Sequence, residues 1–372
     1  MSLIREITDI RRFFKLAKDN LDITFYSESG IYYQNFRGTI KEIIAGSDLY
    51  IYYITSDIKD PIFDFKHERL TSFYINRFIS FFFPFINTKT LIMTMADLDQ
   101  YHIKRSINKV NHIYMFHAIN SVHMQYNQKA FDSYDTIFCV GPHHVNEIRE
   151  TEKLYNLPKK KLVEVGYSLL EDIEKKYDDS LIAKNKILIA PSWNSGNILE
   201  SCIEEILDRL IPSSYQVVVR PHPEFIRRSK DKVIELQKQY VNYGNIKIET
   251  ELTNSKNIFE SAILITDWSG IAIEFLWGML KPVIYINTEK KIHNSEYKKI
   301  NLEPIEDSIR YSSGITLEIS ELAKIEEKIN MSFEDINRIR EKLIFDRQKN
   351  IFNWGKSSKT GSDYIIDYCN LN

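Results

Sequence analysis

The sequence predicts an α/β protein of two doubly wound, Rossmann-like domains facing a cleft. Three observations lead there. Apolar, β-rich runs alternate with longer amphipathic stretches along the chain, the pattern of parallel sheets covered by helices on both faces. The 372 residues are too many for one ordinary core and suit two domains of about 150–200 residues each. A polar break, LEDIEKKYDDSLIAKN, falls at 170–185, where one domain hands over to the next. The expected division is 1–175, 176–350 and a C-terminal helix, 351–372, that packs back across the interdomain region.

In the first domain, β-rich runs place strands at 22–27, 49–54, 90–95, 112–117, 136–140 and 162–166. Helical spacing appears between them in NFRGTIKEIIAG and in PHHVNEIRETEKLY. The second domain repeats the scheme, with strands at 186–191, 216–221, 246–249, 262–266 and 282–286 and its clearest helix in NILESCIEEILDRLI. The tail from Phe333 onward reads as helical. The aromatic segment FYINRFISFFFPFI, 73–86, is broken by Asn76, Arg77 and Pro84 and is too short for a membrane span. It reads as a buried or half-buried helix, or as a surface that dips into a membrane interface.

Composition excludes several classes. The net charge of −2 gives no global pull toward nucleic acid. Three widely spaced cysteines suggest neither a disulfide frame nor a zinc motif, so a reducing cytosol is the simplest compartment. The first twenty residues lack the apolar run of a secretory signal. The expected location is cytoplasmic, with peripheral contact at the inner face of the cell membrane through 73–86.

Ligands of doubly wound sheets bind beyond the carboxyl ends of the strands, so the residues that follow strands carry the information. In AILITDWSGIAIEF, the strand runs through Asp267 into Ser269 and Gly270. A helix starting near Ser269 would present free N–H groups and the positive end of its dipole to a phosphate. Glu274 lies about one turn further on, placed to hold ribose hydroxyls. An ordinary capped helix is the plainer reading. In VVVRPHPEF, two prolines fix the backbone on both sides of His222, and Arg220 and His222 are candidate donors to phosphate oxygens. In APSWNSGN, Ser192, Asn194 and Ser195 follow a strand and can hydrogen-bond a phosphate or a base.

On the other side, His117 closes the strand in IYMFHA. It is the candidate general base toward an acceptor hydroxyl, because imidazole titrates near neutrality. His143 and His144 read as capping or surface residues. The strand-end list also holds Ser27, Glu28, Ser29 and Gly30. NWGKSS, 353–358, mimics a P-loop end but has Asn350 where the first glycine belongs. Asp97 and Asp99 form a D-x-D pair in the half opposite the donor motifs, so no metal is expected. The basic run EKKIHNSEYKK, 289–299, reads as a solvated loop, with reach to a donor phosphate as the sharper alternative.

The trio APSWN, RPHPEF and ITDWSGIAIEF…KPVIYI resembles the CDP-glycerol glycerophosphotransferase family, the teichoic-acid polymerase group. The resemblance is strongest over 186–290 and continues through FHA, FDSYDTIFCVG and KLVEVGYSLLED. It implies the two-domain fold called GT-B. It implies that His117 acts as base or acceptor-site residue and that His222 meets the donor diphosphate. Ser269 and Gly270 then bind the pyrophosphate, preceded by Asp267. Ala118 stands where the family usually has Gly, Gly270 where it often has Ser or Thr, and Glu274 where it often has Asp.

The expected reaction moves an alditol phosphate from a CDP-activated donor to a hydroxyl of a cell-surface glycan or lipid-linked acceptor, without a cofactor. The alternative is a GT-B glycosyltransferase with a nucleotide-sugar donor, building surface polysaccharide such as capsule. A nucleotide-sugar 2-epimerase and a non-catalytic glycan or nucleotide binder are the remaining readings.

Overall fold

A computed structural model describes residues 2–16, 21–250, 255–334 and 336–371. Residues 17–20 of the N-terminal segment and Asp335 of the tail lie outside them. The chain divides into two units: Met1–Leu169 with His293–Leu302 and Asn350–Asn372, and Leu170–Ile292 with Glu303–Lys349.

The first unit is built on seven parallel strands: β1 (Leu21–Ser27), β2 (Ile51–Thr55), β3 (Leu70–Tyr74), β4 (Thr88–Met93), β5 (Asn111–Met115), β6 (Thr136–Cys139) and β7 (Lys161–Glu164). Their order is β3-β2-β1-β4-β5-β6-β7. The connection therefore reverses direction between β1 and β4, the switch point where such sheets open a crevice. One face of the sheet, with Ile23, Phe25, Tyr53, Ile92 and Ile113, packs on Phe36, Ile40 and Ile43 of the helix Tyr33–Gly46. Each such side chain fully removed from water contributes about 1.5–3 kcal/mol. The C-terminal helix Ser357–Leu371 adds Ile365 and Cys369 to this core. It lies so close to the helix Tyr33–Gly46 that a Cβ on Gly38 would meet the Ser358 hydroxyl at 2.1 Å. Glycine is thus required there by approach, not by dihedral.

The second unit has six parallel strands: β8 (Ala183–Ile189), β9 (Gln216–Val219), β10 (Ile246–Ile248), β11 (Ser261–Thr266), β12 (Val283–Asn287) and β13 (Ile315–Glu318). Their order is β10-β9-β8-β11-β12-β13, with the switch point between β8 and β11. The helix Ile203–Leu210 places Ile203, Ile206, Leu207 and Leu210 against the sheet, the i, i+3, i+4, i+7 spacing of an amphipathic helix.

Three expectations are corrected. The segment 73–86 is not one helix. Its start completes β3, and two short turns, Ile79–Phe82 and Phe83–Phe85, follow. Pro84 sits inside the second turn, where it forbids a longer helix. Two strands, β3 (Leu70–Tyr74) and β13 (Ile315–Glu318), were not among the expected ones. Finally, His143 and His144 are not surface caps. His144 is buried, stacks on Phe116 at 3.7 Å, accepts from Val140 N–H at 3.2 Å and donates through Nε2 to the Asn120 carbonyl at 2.9 Å. Burial pushes its pKa down to about 3.

Candidate active site

In the second unit, the loops after β8 and β11 flank the switch point, and one residue ties them together. Asp267 is fully buried. Its Oδ1 accepts from the N–H of Ser192 at 2.7 Å and of Trp268 at 2.6 Å, and its Oδ2 accepts from Ile198 N–H at 2.9 Å. The carboxylate is thus consumed by backbone donors on both loops, and Asp267 shapes the crevice. Ser192 donates its hydroxyl to Asn194 Oδ1, and Asn194 Nδ2 reaches the carbonyls of Ser195 at 3.0 Å and Glu289 at 3.3 Å. These side chains brace the loop, leaving Asn197 to cap the next helix through Leu199 N–H at 2.8 Å.

The helix expected at Ser269 begins at Ile271 and is brief. Three α-helical residues, Ile271–Ile273, lead into a π-helical turn, Glu274–Gly278. Such turns often mark functional positions. Gly270 is exposed, and a Cβ built on it would meet nothing within 4 Å. The backbone is therefore open to an approaching anion at this point. Glu274 is half-buried, and burial lifts its carboxyl to about 7.

Arg220 is committed to Glu249, NH1 to Oε2 at 2.7 Å, while Asn257 donates to Glu249 Oε1 at 2.9 Å. It stiffens the end of β9. His222 caps the helix Pro223–Arg228: its Nδ1 accepts from Glu224 N–H at 3.1 Å. A backbone N–H can only donate, so in the neutral ring the proton sits on Nε2 and is available to donate outward. Burial, and next the charge of Lys291, hold the His222 pKa below its ordinary value.

Two cations stand beside these groups. Lys291, from the run 289–299 that reads as a solvated loop or as one reaching a donor phosphate, lies 5.3 Å over the Trp193 ring, with Arg228 at 4.6 Å from the same ring and His222 at 6.2 Å. Its position after β12 was the available signal. Arg310 is fully buried under the turn: it donates to the carbonyls of Asp267 at 2.6 Å and Ile286 at 3.1 Å and sits 4.0 Å from Trp268. Nothing in SIRYSSG announces this.

In the first unit, His117 follows β5 and is half-buried. Its Nδ1 lies 3.2 Å from the Thr94 carbonyl just beyond β4. A carbonyl can only accept, so Nδ1 carries the proton and Nε2 keeps its lone pair. Burial lowers its pKa, partly offset by that hydrogen bond. Tyr32 packs its ring 5.1 Å away, and Tyr167 donates to the His117 carbonyl at 2.6 Å. Asp97 and Asp99 are engaged locally, with Asn127 and the Arg105 N–H.

The family model described as CDP-glycerol:poly(glycerophosphate) glycerophosphotransferase matches residues 109–309. No curated protein matches the chain in sequence at a significant level. Among solved structures, the wall teichoic acid polymerase TagF, in a variant soaked with CDPG, aligns with TM-score 0.59 at 13% identity, over 100% of this chain and 97% of that one. MnaA of S. aureus with UDP aligns with TM-score 0.61 at 12% identity, over 95% and 98%. A UDP-N-acetylglucosamine 2-epimerase aligns with TM-score 0.59 at 9% identity, over 94% and 96%. These likenesses establish the shared GT-B fold.

Proposed function

The chain belongs to the CDP-glycerol:poly(glycerophosphate) glycerophosphotransferase family, and we propose on that basis that it transfers glycerol phosphate, or a similar alditol phosphate, from a CDP-activated donor to a hydroxyl acceptor of a surface glycan or lipid-linked chain. The observation that carries the mechanism is the opposite protonation of two neutral histidines, His117 with its lone pair on Nε2 and His222 with its proton there. An acceptor hydroxyl gives its proton to His117 Nε2 as its oxygen attacks the β-phosphorus of the donor. The bond from that phosphorus to the bridging oxygen breaks, and CMP leaves with the electron pair. The His222 Nε2–H, Lys291 and the open backbone at Ser269–Gly270 stabilise the charge on the leaving phosphate. Asp267, Arg310, Arg220, Ser192 and Asn194 hold these groups in place, and Glu274 is left to the ribose hydroxyls. A nucleotide-sugar donor would use the same two atoms, with attack at the anomeric carbon and release of the nucleoside mono- or diphosphate.

Melting curves with CDP-glycerol, CDP-ribitol, CMP, UDP, GDP and UDP-sugars test the donor. A ligand at a hundred times its Kd stabilises by about 2.7 kcal/mol, a rise in Tm of roughly 5–10 °C for a domain of this size. We expect the rise with cytidine diphosphate donors, and expect it to shrink in Ser269→Ala and His222→Ala. Each variant is compared with its own unliganded curve, because His222→Ala also removes a helix cap. A uridine- or guanosine-selective rise would move the function to sugar transfer.

Peripheral membrane contact is part of this proposal, and the helix Ser2–Leu16 supports it. This helix faces inward with its acids: Glu6 and Asp9 are buried and accept from the N–H groups of Asn76 at 2.8 Å, Phe78 at 2.9 Å and Tyr74 at 2.9 Å. Ile4, 72% exposed, faces outward with Leu3, Ile7, Phe14 and the cations Arg11 and Lys15. Phe81, 77% exposed, and Phe85, 54% exposed, add to the apolar surface. Apolar side chains beside Lys and Arg suit an anionic lipid interface. Among the described residues no helix is long and apolar enough to cross a membrane. The protein should sediment with anionic vesicles at low salt, and the pair Ile4→Ser with Phe81→Ser should release it. Indifference of the wild type to such vesicles would remove this part of the proposal.

A further inference from the structure

Glu28 is a half-buried carboxylate at the ligand edge of the first sheet, one residue beyond β1. Among the described residues no donor or cation reaches it. Burial alone raises its pKa, and burial first, with a smaller contribution from the Glu28 charge, pushes up the hydroxyls of Tyr26, Tyr32, Tyr114 and Tyr134. A carboxylate held partly out of water without a partner is disfavoured in its charged form, and its place at the ligand edge suits a hydroxyl-bearing ligand. Its location says which one. The switch point lies between β1 and β4, and Tyr26 is in register with Met93, which is in register with Tyr114. Glu28 therefore stands level with the end of β5, two strand spacings or roughly 10 Å from the His117 position. Tyr32 lies between them in contact terms: its hydroxyl feels Glu28 and its ring packs on His117.

We infer that Glu28 binds the acceptor, accepting hydrogen bonds from free hydroxyls of its terminal unit while a neighbouring hydroxyl is presented to His117. This rests on the transferase reading above and names the acceptor chemistry of the same site. A span of about 10 Å suits a polyol or sugar end held by hydrogen bonds at both sides. An unpaired carboxylate repels phosphate, so the seated end is neutral and hydroxyl-bearing. A chain ending in a phosphomonoester is refused.

The test measures acceptor binding by calorimetry without donor, using a glycerol phosphate trimer that ends in free glycerol and the same trimer ending in a phosphomonoester. Wild type should prefer the glycerol end by at least tenfold. Glu28→Gln should weaken that trimer about tenfold, abolish the preference, leave the Kd for CDP-glycerol within twofold and raise the melting temperature. An unchanged trimer affinity in Glu28→Gln, a parallel loss of donor affinity, or wild-type binding of CDP-glycerol with no binding of either trimer would overturn the inference. Failure of the transferase reading looks different, because wild type would then bind neither CDP-glycerol nor a trimer.

Discussion

Replacing His117 by Asn should lower turnover by about 10²–10⁴-fold, the usual contribution of a positioned general base, while leaving the Kd for CDP-glycerol unchanged. Asn is the informative substitution. Its amide N–H can keep the 3.2 Å bond that His117 Nδ1 makes to the Thr94 carbonyl, so the loop after β5 stays where it is and only the basic lone pair is lost. His117→Ala, which loses both, should be no slower than Asn if the bond to Thr94 is purely positional. The pH profile gives an independent readout. The reactive form is the neutral ring, and burial places its pKa below the ordinary imidazole value. Activity should therefore hold through neutral pH and fall only as pH drops through that lowered value. Stability follows the same sign. The unfolded ring binds a proton more readily than the folded one, so the contribution of His117 to stability is fully present above the unfolded pKa and is lost as pH falls through the folded one. An Asn variant that keeps wild-type turnover would assign the base elsewhere.

The edge on which this chemistry sits was legible because strands announce themselves by composition and ligands sit where strands end. The runs that became β1, β5, β8, β9 and β11 are apolar and β-branched, and each stops at a polar or small residue: Glu28, His117, Ser192, His222 and Asp267. What remained hidden depends on contacts between segments far apart in the chain. Arg310 matters because carbonyls of Asp267 and Ile286 converge on it; its own neighbours are an unremarkable helix. Lys291 belongs to a charged run that resembles any solvated loop until Trp193 is seen beneath it. The orientation of the helix Ser2–Leu16 stays hidden for a related reason, since it buries Glu6 and Asp9 together with Phe13 and leaves Leu3, Ile4 and Ile7 exposed, against the pattern that periodicity is read for. The π-helical turn at Glu274 is set by packing, and no residue in EFLWG signals it.

Asp267 is where the second large effect is expected, and it is an effect on folding as much as on binding. Its family position suggests a donor contact, but both carboxylate oxygens are already occupied by three backbone N–H groups within the protein. Those donors lie on the two loops that flank the β8–β11 switch point, so the carboxylate does for the crevice what a cross-link would do. Asp267→Ala leaves three N–H groups without their acceptor in a site closed to water. Each orphaned donor costs about 1–3 kcal/mol, so a loss of about 3 kcal/mol or more is expected, or roughly 6–12 °C in Tm. Asp267→Asn should fall between, because its amide oxygen can serve two donors while its NH₂ group meets the third head-on. The donor affinity should drop with both, since Ser192, Trp268 and the Ser269–Gly270 backbone all move once the tie is cut. Ser269→Ala offers the contrast: donor affinity falls while the unliganded melting temperature stays nearly constant. A residue that bound donor directly would behave like Ser269. If Asp267→Ala melted with wild type and lost only donor affinity, the carboxylate would have to be reassigned from the scaffold to the ligand.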